Sequence, residues 1–294
     1  MKLMVTGASG LIGKAFIDLY STEYNLTALT RKISSTLNDN INWVETDYTV
    51  DSLSKVLSGA DAVIHMAGIR LPPPNEDNFL HYLDNITISE NIFKACVNNS
   101  IMKIVCASTR SVYSELNKTP WIESDTAIPA SLYGASKLAM ESIASIYSKK
   151  YKLNIKCLRI AQILSANERK GYLLRTLFDR AKANEEQIIF GTGEGKREYI
   201  YVKDAARSFL HAVQSNEHYG NYNIGTDYAI SIKELAEQIN KTYGCVSPVK
   251  YLTGKQEDLN KSLMDCSKAA KYLNFQADFT IEDAIKDIYC EMKK

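Results

Sequence analysis

The stretch TGASGLIG, residues 6–13, follows an apolar run over residues 3–5 and leads into Lys14-Ala15-Phe16-Ile17, so a short strand turns through glycines straight into a helix. Gly7, Gly10 and Gly13 carry no side chains that would keep the backbone from a bound group. A helix that starts there offers unpaired N–H groups and a positive dipole end to an anion such as a dinucleotide pyrophosphate. A tight strand-to-helix corner would use the same glycines. The spacing is G-x-x-G-x-x-G rather than G-x-G-x-x-G, so the motif needs support from elsewhere in the chain.

Over the first 160 residues, β-rich runs at 2–6, 26–30, 42–45, 62–65, 103–107 and 155–159 alternate with helical patterns at 11–20, 51–57, 76–98 and 132–150. Such alternation predicts an α/β fold: a Rossmann-type, doubly wound parallel sheet over residues 1–160, rejoined by about 199–225. A smaller, mostly C-terminal α/β substrate-binding domain would take 161–198 and 226–294. Segments 165–174 and 191–199 read as loops, and LPPP (71–74) as a rigid one. The segments beginning at Ser231 and Thr280 read as capped amphipathic helices.

With 35 basic and 34 acidic residues spread along 294, the chain shows no electrostatic footprint for nucleic acid or an anionic membrane. No apolar run approaches the roughly 20 residues that span a bilayer. The expectation is a soluble, cytoplasmic protein. Cys96, Cys106, Cys157, Cys245, Cys266 and Cys290 lack C-x-x-C spacing, which predicts reduced thiols and no metal site.

A second motif is SLYGASK, residues 131–137. Tyr133 and Lys137 are four apart on a predicted helix and so share a face. A free phenol, with a pKa near ~10, is a poor base at neutral pH, and a neighbouring ammonium favours its phenolate.

Together these motifs resemble the extended short-chain dehydrogenases/reductases, specifically the NAD-dependent epimerase/dehydratase family acting on nucleotide sugars, and the resemblance runs over nearly the whole chain. It implies catalytic roles for Thr109 (in ASTRSVY, 107–113), Tyr133 and Lys137. It implies cofactor contacts at Gly7, Gly10, Leu11, Ile12, Gly13, Arg31, Asp47, Tyr48, Ala67, Gly68, Tyr133 and Lys137. Substrate contacts fall to Arg70, Ser108, Thr109 and Arg197, the last holding a diphosphate from GTGEGKREYIYVKDAA, 191–206. HMAG (65–68), Asn85 and YNIGT (222–226) also match the family. His65 reads as a packing residue, Asn85 as bonding backbone inside its helix, and Asp204 as organising its helix start.

Three departures from the family pattern bear on the expected activity. Where dehydratases of the family carry an acidic pair, this chain has Arg110-Ser111, so the proton carriers for water elimination are missing. After the second strand it has Thr30-Arg31-Lys32 where an acidic residue would select NAD, which leaves NAD and NADP both open. Gln162 stands where asparagine is usual. The resemblance therefore implies a nucleotide-sugar 4-epimerase of the UDP-hexose type, working through a 4-keto sugar. An NADPH-dependent 4-keto-sugar reductase is the alternative, and a non-catalytic NAD(P) sensor a third reading. A homodimer paired through 76–98 and 132–150 is also implied.

Overall fold

The computed structural model describes residues 1–34, 40–70, 78–252, 259 and 261–293. The first half runs β1 (Lys2–Thr6), α1 (Leu11–Tyr20), β2 (Asn25–Thr30), β3 (Asn42–Glu45), α2 (Val50–Val56), β4 (Ala62–His65), α3 (Leu83–Asn98), β5 (Lys103–Thr109), α4 (Leu132–Tyr151) and β6 (Asn154–Ile160). The second runs β7 (Gln162–Leu164), α5 (Leu173–Ala183), β8 (Gln187–Phe190), β9 (Lys196–Tyr201), α6 (Val202–Gln214), β10 (Gly220–Ile224), β11 (Ala229–Ser231), α7 (Ile232–Tyr243), β12 (Val249–Leu252), α8 (Ser267–Leu273) and α9 (Ile281–Lys293).

Seven strands form one sheet in the order β10-β6-β5-β4-β1-β2-β3, and every pairing within it is parallel. The central strands β1 and β4 are buried along nearly their whole length, with apolar runs at Leu3–Val5 and Ala62–Ile64, as a sheet covered on both faces requires. One face buries α1 and α6 through Phe16, Ile17 and Phe209; the other buries α2, α3 and α4 through Leu53, Phe93 and Met140. Strand order reverses between β1 and β4. The crevice at the carboxyl ends of those two strands is where an open α/β sheet binds ligands.

The helical pattern at 76–98 begins later than expected. Asn78 Oδ1 accepts from Leu80 N at 2.9 Å and starts a 3-10 turn over Phe79–Tyr82, and the α-helix proper opens at Leu83. Residues 196–199, read as loop, instead open β9, the middle strand of a second sheet ordered β11-β9-β7. Its pairing partners lie far along the chain, where local propensity has no view of them. LPPP lies outside the described residues.

α7 carries the predicted cap in full: Ser231 Oγ accepts from Glu234 N at 3.1 Å, and Glu234 Oε2 accepts from Ser231 N at 3.0 Å. Ser231→Ala is expected to cost about 1 kcal/mol, read as a lower urea midpoint. All six cysteines are free, with Cys290 exposed. Among the described residues no helix is long and apolar enough to cross a membrane, and no cluster of His, Cys, Asp and Glu could hold a metal.

Candidate active site

The glycine turn sits in that crevice. Gly7 has φ +72°, and a Cβ there would lie 2.5 Å from Ala67 N, so the turn after β1 touches the turn after β4. At Gly13 a Cβ would lie 2.2 Å from Gly7 O, so the first turn of α1 packs on the glycine loop itself. Gly10 is the N-cap of α1 and gives no side-chain bond to the helix start, where the N–H groups of Leu11, Ile12 and Gly13 remain for a ligand. A side-chain-free cradle at a ten-residue helix fits a dinucleotide pyrophosphate.

His65 fastens the two turns, as a packing residue would. Thr6 Oγ1 lies 2.7 Å from its Nδ1, Ser89 Oγ lies 2.9 Å from its Nε2, and Ala67 N donates to Thr6 Oγ1 at 3.2 Å. Ser89 donates its own proton to Asn85 O at 2.5 Å, so it accepts from Nε2–H and Nδ1 is the acceptor from Thr6. The ring is thus neutral, and burial, with Lys137 adding to it, pulls its pKa down to about 3. The unfolded chain binds this proton near ~6.5. Its contribution to stability is complete above that pH and is lost as pH falls toward 3, by about 1.4 kcal/mol per unit. Urea unfolding at pH 7.5 and 5.0 should therefore show His65→Gln losing about 2 kcal/mol less than wild type over that interval.

On the far side of β1, Asp47 Oδ1 accepts from Thr49 N at 2.9 Å and from Thr49 Oγ1 at 2.8 Å, shaping the turn into α2 at an exposed position. Tyr48, at φ 62°, turns its ring into the core and donates its hydroxyl to Leu29 O at 3.1 Å. Arg31 lies 5.9 Å from the Tyr48 ring centre and pairs with Asp84 at 2.6 Å, both side chains more than half exposed.

Thr109 ends β5, and its Oγ1 accepts from Ser111 N at 3.2 Å, which leaves the hydroxyl proton for another acceptor. Tyr133 stands in the first turn of α4, capped by Ser131 Oγ, which accepts from Gly134 N at 3.1 Å. Gly134 brings their two segments together: a Cβ there would lie 2.3 Å from Ser111 O, so α4 rests against the turn that follows Thr109. Only a glycine permits that approach, and nothing in the sequence short of a three-dimensional neighbour marks it. Lys137, one turn further and 3 % exposed, directs Nζ toward Gly68 and Asn85, so it borders the turn after β4. Burial pushes the Tyr133 phenol up to about 12, and the cation whose field opposes this is Arg70. Burial likewise pulls Lys137 down, with Glu141 among the groups that pull it back.

Several residues serve otherwise than their type suggested. Asn85 bonds no backbone of its own helix; its Oδ1 accepts from Ile69 N at 2.6 Å and its Nδ2 donates to Ile69 O at 2.9 Å, fixing the turn that carries Gly68 and Arg70. Ser108 donates to Glu141 at 2.5 Å in the layer between sheet and α4, because successive strand residues face opposite ways. Asp204 accepts from Asp278 N and Phe279 N at 3.1 and 2.9 Å, so it anchors the C-terminal segment to α6 rather than capping its own helix.

Arg197 lies on β9, where its Nη1 donates to Lys196 O at 2.9 Å. It shares a face with Tyr199, whose phenol burial pushes up to about 12 while the charges of Arg197 and Arg110 oppose that rise. Gln162 pairs with Tyr199 across β7 and β9. On the opposite face Glu198 accepts from Thr226 N, Asp227 N and Met264 N at 2.7, 3.0 and 3.0 Å. A Cβ at Gly225 would lie 2.2 Å from Glu198, which ties the two late signatures, 191–206 and 222–226, to one another.

An open parallel sheet with a glycine turn at its switch point, and a Tyr and Lys on one helix beside it, defines a dinucleotide-binding protein of the short-chain dehydrogenase type. The sequence pattern of the NAD dependent epimerase/dehydratase family matches residues 3–225, and the chain belongs to that family. Its structure resembles UDP-N-acetylglucosamine 4-epimerase from Bacillus cereus with a TM-score of 0.90 and 33% identity, covering 100% of both chains. UDP-glucuronic acid 4-epimerase from the same organism, solved with UDP-glucuronic acid and NAD, gives a TM-score of 0.86 at 25% identity over 100% of this chain and 99% of that one. A further relative, dTDP-4-dehydro-6-deoxyglucose reductase from Escherichia coli, is 24% identical over 98% of both sequences.

Proposed function

We propose that this protein is an NAD-dependent 4-epimerase of UDP-hexoses. The observation that supports the reading is the seating of Gly134 against Ser111, which packs the first turn of α4, the turn that bears Tyr133, on the turn that follows Thr109, with Lys137 Nζ against Gly68. The similarity to 4-epimerases supports it. Bound NAD would rest on Gly7, Gly10 and the start of α1, with Lys137 at its nicotinamide ribose, and would supply the group that takes a hydride from C4 and returns it. Thr109 Oγ1 hydrogen-bonds the sugar O4. Tyr133 removes the O4 proton and later restores it to the opposite epimer. Arg197 holds the diphosphate, leaving the 4-keto sugar free to turn between the two proton transfers. The choice of NAD is supported by the similarity to the UDP-glucuronic acid 4-epimerase solved with NAD; the Arg31–Asp84 pair, with both side chains more than half exposed, does not keep Arg31 from a 2′-phosphate.

On this reading residues 1–160, rejoined by about 199–225, hold the cofactor, and 161–198 with 226–294 hold the substrate. The test is to release and quantify the nucleotide carried by the purified protein and to follow UDP-glucose and UDP-N-acetylglucosamine by NMR. Tightly held NAD and appearance of the 4-epimer are expected. An empty site that consumes NADPH against a 4-keto sugar would replace the epimerase with a reductase, the activity of the Escherichia coli relative.

The molecule works as a homodimer joined through α3 and α4, a reading supported by exposed Leu83 and Ile146, at 42 % and 59 %. Ile146→Glu should halve the mass measured by light scattering. A wild type that is already monomeric would end this part of the proposal.

A further inference from the structure

The backbone of Arg197 is tied on both sides. On one side it pairs with Ile230 of β11. On the other it bridges Ser262: Ser262 N donates to Lys196 O and Glu198 N donates to Ser262 O, each at 3.1 Å. The peptide groups before and after Arg197 are thus both bonded to one residue of a distant segment, and what holds that segment in place also holds Arg197.

Segment 262–266 is held from two directions. Trp121 N donates to Leu263 O and Asp265 N donates to Trp121 O, both at 2.8 Å, while Asn223 Nδ2 donates to Asp265 O at 3.1 Å. Trp121 lies in the stretch between Thr109 and Tyr133, so these few residues span from the catalytic loops to the strand of Arg197. Glu198, buried and facing away from Arg197, closes the arrangement. Its Oε2 accepts from Met264 N at 3.0 Å, and its Oε1 accepts from Thr226 N and Asp227 N, just past β10, at 2.7 and 3.0 Å. Asp227 Oδ1 in turn accepts from Cys266 N at 2.9 Å. A buried carboxylate is costly to desolvate, and an apolar side chain would fill the space without that cost. What the carboxylate adds is direction: it fixes backbone N–H groups of two segments at once, from the residue that follows Arg197.

We propose that Glu198 is a positioning residue for substrate binding: by clasping 262–266 to the end of β10 it fixes the backbone of Arg197, and with it the origin of the guanidinium, for the diphosphate of the nucleotide sugar. This rests on the proposed role of Arg197 in holding that diphosphate. Glu198 acts through Arg197.

The test is calorimetric titration of the cofactor-loaded protein with UDP and with uridine, which lacks the diphosphate. It compares wild type, Glu198→Gln, Arg197→Ala and the double variant, with melting temperatures and NAD titration to check folding. Glutamine keeps the size and one acceptor oxygen but sets its NH2 group against either Met264 N or the pair at Thr226 and Asp227. Arg197→Ala should weaken UDP binding about 30-fold. Glu198→Gln should weaken it about tenfold, leave uridine and NAD as in wild type, and add nothing in the Arg197→Ala background. Coupling is reciprocal, so in wild type UDP, but not uridine, should slow hydrogen exchange at the N–H groups of Thr226, Asp227 and Met264 about tenfold relative to those of β1. This second measurement needs no variant and decides the matter if Glu198→Gln does not fold. UDP affinity untouched by Arg197→Ala would overturn the role of Arg197 itself. A loss in Arg197→Ala would overturn this inference alone if Glu198→Gln matched wild type, weakened uridine as much as UDP, or weakened UDP just as much without Arg197. Exchange at the three N–H groups that UDP leaves unchanged would do the same.

Discussion

Tyr133→Phe is expected to slow epimerisation about 10²–10⁴-fold while leaving the fold and cofactor affinity close to those of wild type, as measured by steady-state turnover and by NAD titration. The variant removes one oxygen and keeps the ring that packs near Tyr82. Burial holds the phenol near 12 against the pull of Arg70, so in the protein alone the proton stays on Tyr133 at neutral pH. A bound pyridinium and the sugar hydroxyl then have to shift that balance, and turnover of wild type should rise with pH through the acid limb. The phenylalanine variant should lack that limb, its residual rate being flat with pH. A variant as active as wild type would mean that another group moves the O4 proton.

What could be read from the sequence follows the range over which each signal acts. β1, β3, β4 and α1 fall where the apolar periodicity places them: α1 forms its own hydrogen bonds, β1 and β4 bury their own apolar runs in the central sheet, and β3 sets Trp43 and Val44 half-buried at its edge. The capping boundary at Ser231 is equally local. β9 was hidden because its strand character depends on β7 and β11, which are distant in sequence. The same division holds in the site. Gly7 and Gly13 announce a close approach by being glycines between a strand and a helix, whereas the need for Gly134 arises from Ser111, 23 positions earlier. Asn85, Asp204 and Ser108 are polar residues with partners on other elements, so residue type alone suggested a bond within the helix for Asn85, gave only the start of α6 for Asp204, which also holds the chain at Asp278 and Phe279, and suggested a substrate contact for Ser108, whose hydroxyl donates to Glu141 instead. Arg70 belongs to this group as well, since Glu168 gives its position and no local pattern predicts that pairing.

Glu141→Ala is expected to destabilise the protein by about 3–5 kcal/mol, the largest loss of any single substitution considered, measured by equilibrium urea unfolding. Glu141 lies one turn beyond Lys137 on α4 and receives donors from three strands. Ser108 Oγ of β5 reaches it at 2.5 Å, Arg159 Nη2 of β6 at 2.7 Å, and Asn221 Nδ2 of β10 at 2.9 Å. Removing the carboxylate strands a guanidinium that is 3 % exposed and, among the described residues, keeps Glu123 O, at 3.2 Å, and the face of the Tyr113 ring as partners. The sign of the effect depends on which partner goes. A buried pair replaced as a whole by apolar residues costs far less than one partner left behind, so Glu141→Leu combined with Arg159→Leu should be more stable than Glu141→Ala alone. The two variants also separate stability from catalysis. Ser108 precedes Thr109, and Glu141 follows Lys137 on the same helix face, so both variants free the end of β5 from α4 and both should lose turnover, although only the single substitution loses most of the stability. A double variant that is well folded and fully active would show that this carboxylate holds the sheet together without setting the spacing between Thr109 and Tyr133.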